Sequence, residues 1–269
     1  VRAARPALLC AVAFCAAACS VSPLHSVPSP PPVTKSQVNP VAQPITSTPA
    51  PAAEQPVVVL DAGHNGGNAS HLADIRRPVP DGRGGTKECN TTGTSTDAGY
   101  PEHAFTFDVT ARATQELTAA GVRVVLTRTD DTGVGPCVDV RGQAAEAAGA
   151  ALMVSIHADG SAAANSGFHV ALPDPPLNPA QEAPSRELGT ALRDALRAGG
   201  FPDSDYLGDQ GISLRTDLAG LNLATRPVAL VECANMRNAG EAAVVSSEAG
   251  RQRYADAITA GVLAYLAHP

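Results

Sequence analysis

Four short stretches of the chain, residues 57–60, 122–126, 152–156 and 228–231, are apolar runs without regular alternation, the second and third interrupted once each, by Arg123 and Ser155. A strand covered on both faces reads this way. Between and after them, about 103–120, 138–149, 185–198 and 250–266, the pattern is helical, and the last two segments carry apolar residues at helical spacing. Strands that alternate with helices imply an α/β layer fold, here a single-domain three-layer sandwich with a mostly parallel sheet flanked by helices. Two stretches break the alternation: 65–99, rich in Gly, Thr and Asp, and 173–184. Both are expected to be loops or irregular insertions over the strand ends.

The first quarter of the chain reads differently. Arg2 and Arg5 precede an apolar run from Ala7 to Ala18, too short for a stable span, and small residues Ala16, Ala17 and Ala18 close it. Residues 1–19 are therefore expected to be an export signal. Cys19 follows directly and is a candidate for lipidation, although a lipoprotein signal usually has Leu where Ala16 stands. Residues 20–56 string Pro, Ser, Thr, Val and Gln together with almost no charge, the composition of a semi-extended disordered tether. The folding part is then 57–269, enough for one core of ordinary size. No later segment is apolar and long enough to cross a membrane, and the domain is expected to act as a monomer in the periplasm or cell wall.

A formal net charge of -7 and only two lysines, Lys35 and Lys87, exclude a surface built to track nucleic-acid phosphates. The absence of Trp removes the usual stacking platform for sugars, so any glycan contact must be polar. The chemistry is concentrated elsewhere. His64 and His157 each follow or close an apolar run, and in open α/β sheets ligands gather at the carboxyl ends of strands. Gly63 and the Asn65-Gly66-Gly67 run mark a tight turn around His64. A lone histidine is more often structural, but two at strand ends plus one carboxylate make the donor set of a catalytic zinc site. Glu102, at the helix start after Pro101, is the candidate carboxylate; spacing alone would equally make it a first-turn Glu favoured by the helix dipole.

In order, the chain reads Leu60-Asp61-Ala62-Gly63-His64, Glu102, Ser155-Ile156-His157-Ala158 and Val231-Glu232. These motifs resemble the zinc-dependent N-acetylmuramoyl-L-alanine amidases of the third amidase type, and the likeness covers essentially all of 57–268. The stretch from Gly82-Arg83-Gly84-Gly85-Thr86 to Glu102 looks most like mycobacterial and actinobacterial members. The resemblance implies Zn2+ on His64, Glu102 and His157, catalysis by Glu232, and cleavage of the lactyl–L-alanine amide of peptidoglycan or muropeptides by zinc-activated water. Ala62 stands where the family usually has Pro, Cys233 follows Glu232, and no separate wall-binding repeat is visible. Without the resemblance, Glu232 would be a strand-end carboxylate available to pair with Arg226 or Arg237.

Arg83, Lys87 and Arg215 are candidate contacts for substrate carboxylates, which suit guanidinium geometry. Each is also an ordinary surface charge. His71, His103 and His169 are read as structural. Cys89 and Cys137 lie in loop-like surroundings while Cys233 closes a buried strand, so Cys89–Cys137 is the expected disulfide of an exported chain. The insertion 76–99, with Asp81-Gly82 as a candidate tight turn, reads as a hairpin that covers part of the groove. Two rivals remain: a zinc carboxypeptidase or other peptidase acting on stem peptides, and a wall-binding protein without turnover.

Overall fold

The computed structural model describes residues 55–268. The expected export signal, Cys19 and nearly all of the expected tether lie outside the described residues. Among the described ones no helix is long and apolar enough to cross a membrane.

The chain opens with β1 (Val57–Ala62), α1 (Leu72–Ile75) and a small hairpin, β2 (Pro78–Pro80) and β3 (Thr86–Glu88). It continues through α2 (Glu102–Ala119), β4 (Arg123–Leu126), α3 (Val138–Gly142), α4 (Ala144–Ala147) and β5 (Leu152–Asp159). Then come β6 (His169–Pro173), α5 (Ala183–Ala198), β7 (Ile212–Arg215), α6 (Ala219–Asn222), β8 (Val228–Asn235), α7 (Ala239–Ser246) and α8 (Glu248–Leu266). Six strands form one sheet in the order β4-β1-β5-β8-β6-β7. The first four are mutually parallel; β6 runs antiparallel to β8 and parallel to β7.

Successive strand residues face opposite sides, so the four apolar runs feed two cores. Val58, Leu60, Val154, Ile156 and Val231 pack with Phe105 of α2, Leu188 of α5 and Tyr254 of α8 in the larger one. Val59, Met153, Ala171 and Leu230 pack with Ala145 of α4 and Leu221 of α6 in a thinner one. This is the expected three-layer sandwich, with long helices on one face and short ones on the other. The thin face carries the chemistry. Counting by twos from Met153 along β5 reaches Ser155 and His157, and from Leu230 along β8 reaches Glu232.

Three differences from the sequence reading have physical reasons. The helix expected over 138–149 divides at Gln143 into α3 and α4, where Gly142 packs so closely on α6 that a Cβ would lie 2.9 Å from the Gly220 carbonyl oxygen. Strands β6 and β7 went unread because β6 sits between Gly167 and a Pro-rich loop and β7 is a four-residue edge. Stretch 65–99 is more ordered than a loop, holding α1 and the expected hairpin; Cys89, just after β3, is disulfide-bonded to Cys137, the residue that caps α3.

Candidate active site

Chain geometry at the end of β1 fixes His64. The turn after Ala62 brings His64 to φ 59°, a left-handed conformation that costs a histidine energy and is kept where surroundings enforce it. Gly63 has no side chain because there is no room for one: a Cβ there would lie 2.3 Å from Cε1 of His157. Strand pairing places Ala62 opposite Ile156 and so brings the two imidazoles together, ring centroids 4.9 Å apart and nearly perpendicular. Glu102 arrives from α2, whose N-cap is Pro101 in extended conformation. Its Oε1 is 3.0 Å from His64 Nε2 and 3.0 Å from His157 Nδ1.

One donor atom from each of His64, Glu102 and His157 lies within 4.8 Å of the others, a group able to hold a metal ion. The second polar atoms of His64 and Glu102 are already committed. His64 Nδ1 is 3.1 Å from the Thr91 carbonyl oxygen, which fixes an Nδ1–H tautomer and leaves Nε2 with its lone pair. Glu102 Oε2 accepts from the Thr94 amide at 2.9 Å, leaving Oε1 towards the imidazoles. Burial by itself would raise the Glu102 carboxyl, but His64 and His157 outweigh it and hold it well below the usual carboxylate range. Burial likewise disfavours protonation of His64, and the Glu102 carboxylate overcomes this and raises its pKa. Three mutually attracting groups, one anionic and two basic, fit a divalent cation of the His/carboxylate-binding kind.

Two buried arginines clamp the turn. Arg141 donates to the carbonyls of Ala62 at 2.6 Å and His64 at 2.7 Å. Arg128 donates to those of Ala62 at 2.9 Å and Gly63 at 3.2 Å. Arg141 is balanced by Asp61 at 2.6 Å, and Asp61 also accepts from Ser155 at 2.6 Å and Thr127 at 2.5 Å. Burial opposes ionisation of Asp61, but Arg141, then Ser155 and Thr127, draw its pKa from 3.8 down to about 2. Sequence reasoning had Asp61 and Ser155 only as motif letters and missed Arg128 and Arg141 altogether. The available signal was an Asp inside an apolar strand, which demands a buried cation.

Glu232 lies in β8 directly opposite His157 of β5. Burial, then the Glu102 and Asp159 carboxylates, push its pKa well above the ordinary range, with Arg215 pulling the other way. The arginines that might have claimed it are engaged elsewhere: Arg226 with Glu146 at 2.7 Å and Arg237 with Asp97 at 2.8 Å. A cavity of about 660 Å³ opens over this wall, lined by His64, Glu102, His157, Glu232, Lys87 and small residues of α6 among others. The 76–99 insertion thus contributes to the cavity.

Of the three cations proposed from sequence, only Lys87 lines the cavity. Its Nζ donates to the Asp217 carbonyl at 2.6 Å. Arg83 donates to the carbonyls of Thr216 and Pro175 and to Asn222 Oδ1, stitching the hairpin tip onto the β7–α6 region. Arg215 is held by Asp217 through two bonds of 2.8 and 2.7 Å. His71 and His103 have partners of their own, the Gly67 carbonyl at 2.9 Å and Asp131 at 2.8 Å.

Several known proteins are similar to this chain over most of its length. The sequence profile described as N-acetylmuramoyl-L-alanine amidase matches residues 58–264. An N-acetylmuramoyl-L-alanine amidase of Mycobacterium tuberculosis is 47% identical over 228 residues, 85% of this chain and 93% of its own. The crystal structure of the N-acetylmuramyl-L-alanine amidase of Mycobacterium smegmatis superposes with a TM-score of 0.77 at 49% identity, over 80% of this chain and 98% of that one. The apo form from Mycobacterium abscessus gives 0.76 at 48%, covering 78% and 98%.

Proposed function

Since the chain belongs to the N-acetylmuramoyl-L-alanine amidase family and is a peptidoglycan amidase, we propose that it works with zinc held by His64, Glu102 and His157 and with Glu232 as proton carrier. The observation that carries this is the convergence of three donor atoms within 4.8 Å while the second polar atoms of His64 and Glu102 are tied to Thr91 and Thr94. Two imidazoles and one carboxylate are a common zinc-enzyme set that leaves a position open. Held by His64, Glu102 and His157, zinc would supply Lewis acidity towards the scissile carbonyl and a lowered pKa for water.

The chain's own residues do the rest. Glu232 takes a proton from the attacking water on its carboxylate and delivers it to the amine of the departing L-alanine, while the water oxygen stays on the lactyl carbonyl carbon as the new carboxylate. The place of Glu232 beside His157 and its raised proton affinity both suit an acid–base shuttle. Arg128 and Arg141 keep the His64 turn in its left-handed conformation. The cavity walls, including the 76–99 insertion, orient the muropeptide; Lys87 is the cation available there for a stem-peptide carboxylate.

Residues 57–269 are the catalytic domain in this reading, exported by 1–19 and spaced by 20–56, with Cys19 as an optional lipid anchor. The Cys89–Cys137 disulfide supports an oxidising compartment. Mass spectrometry of muropeptides after incubation with zinc-replete protein lacking residues 1–55 tests the proposal. Free stem peptides and intact sugar chains are expected, and their formation should cease with a chelator and return with zinc. Activity untouched by chelation would overturn the metal assignment.

A further inference from the structure

Among the described residues six buried side-chain atoms have no hydrogen-bond partner, and three of them belong to one pair: both ring nitrogens of His169 and Oε2 of Glu232. The pair is not an accident of position. His169 opens β6 and stands directly opposite Glu232 in the antiparallel β6–β8 ladder. Side chains so placed share a face, with Cβ atoms about 5 Å apart. Glu232 therefore has His157 on one side and His169 on the other. His169 is 0% exposed, so it can touch neither substrate nor solvent. Its Nε2 is 3.7 Å from Asp159 Oδ2, beyond hydrogen-bond length, and Asp159 already accepts from the Tyr206 hydroxyl at 3.0 Å. The Tyr206 ring packs edge-on against the imidazole, centroids 6.2 Å apart.

Buried polar groups in native proteins are overwhelmingly paired, and orphaned ring nitrogens directly across a strand ladder from an orphaned carboxylate oxygen are resolved most simply by bonding the two. An apolar side chain would fill the same slot without leaving two nitrogens unsatisfied. A histidine there is useful only for its polar atoms. We propose that His169 is a positioning residue for the amidase reaction: in the working enzyme its ring N–H bonds the Glu232 carboxylate and aims it at the reacting centre. The Tyr206 ring, itself fixed by its hydroxyl on Asp159, packs against the imidazole from behind. His169 acts through Glu232 and never contacts substrate, which separates it from the residues proposed above. The inference rests on the reading of Glu232 as proton carrier.

The test is a double-mutant cycle. His169→Phe keeps a ring in the slot and removes both nitrogens, whereas His169→Gln retains a donor. Partners of this kind are worth about 10- to 100-fold in activity. His169→Phe should therefore lower kcat by about that factor on a soluble muropeptide, with KM and zinc content unchanged, and His169→Gln should recover part of the loss. In a Glu232→Gln background His169→Phe should cost nothing more. If the two losses multiply, or if His169→Phe keeps wild-type kcat, His169 does not act through Glu232 and the proposal falls. If Glu232→Gln itself keeps full turnover, the failure lies instead with the proton-carrier reading. Should His169→Phe fail to fold, His169→Met takes its place in the cycle, with the same loss expected and the same results overturning the proposal.

Discussion

Asp61→Asn removes one negative charge from the base of the site while changing almost nothing in volume. In the wild type this carboxylate neutralises Arg141 at 2.6 Å, with both side chains no more than 5% exposed. Deleting one partner of a buried ion pair strands the other, which costs about 3–5 kcal/mol. The pKa gives an independent figure. A fall from 3.8 to about 2 corresponds to roughly 2–3 kcal/mol of stability at neutral pH. The sign follows from proton uptake. Because the folded-state pKa is depressed, the unfolded chain binds the proton first, so this stability is present above 3.8 and is lost as pH falls towards 2. About half should remain at pH 3. Urea titrations of both proteins at pH 7 and pH 3 should show a large gap that narrows at the lower pH. Arg141 also donates to the His64 carbonyl, so zinc affinity of the variant should drop alongside stability. Ser155→Ala, which removes one hydrogen bond of Asp61, should cost only about 1 kcal/mol. A loss below about 0.5 kcal/mol for Asp61→Asn, the level of a neutral surface change, would refute the clamp.

Other features of the molecule are equally exposed to measurement. Gly63→Ala puts a methyl group 2.3 Å from the His157 ring, so metal affinity should fall by at least about tenfold with the fold retained, as read by competition with a chromogenic chelator. Cys89→Ser with Cys137→Ser opens a crosslink spanning 48 residues, and denaturation should show a loss of up to about 4 kcal/mol. The same pair should also loosen zinc, because residues 90–94, just beyond Cys89, carry the contacts to His64 and Glu102; unchanged stability and unchanged affinity would contradict that coupling. Replacing 76–85 by a short Gly-Ser link, with both cysteines kept, should speed cleavage of polymeric peptidoglycan relative to small muropeptides at constant zinc content. An unchanged ratio would reduce the hairpin to a stabilising element.

Legibility in the sequence followed how local each signal was. The runs that became β1, β5 and β8 were readable because a strand buried on both sides is rich in consecutive apolar residues; His64 follows β1, while β5 and β8 continue past His157 and Glu232 to Asp159 and Asn235. Glu102 was readable as a helix start, but its turn towards two histidines was visible only through the family motifs. Asp61 with Arg141 was not readable, since nothing in the chain announces a pair 80 residues apart. His169 passed as a spare histidine for a related reason: β6 was not recognised as a strand, so its register against Glu232 had no trace in one dimension. Arg83 and Arg215 looked like substrate contacts by charge alone, and the fold spends them on Asn222, Asp217 and neighbouring carbonyls.

The central claim is a division of labour, with His64, Glu102 and His157 holding the ion and Glu232 moving the proton. Zinc content and turnover of His157→Ala and Glu232→Gln, each measured on folded protein purified in the presence of zinc, test it most directly. His157→Ala should lose both, while Glu232→Gln should keep stoichiometric zinc and lose about two to four orders of magnitude in kcat. Stoichiometric zinc in His157→Ala, or wild-type turnover in Glu232→Gln, would contradict it.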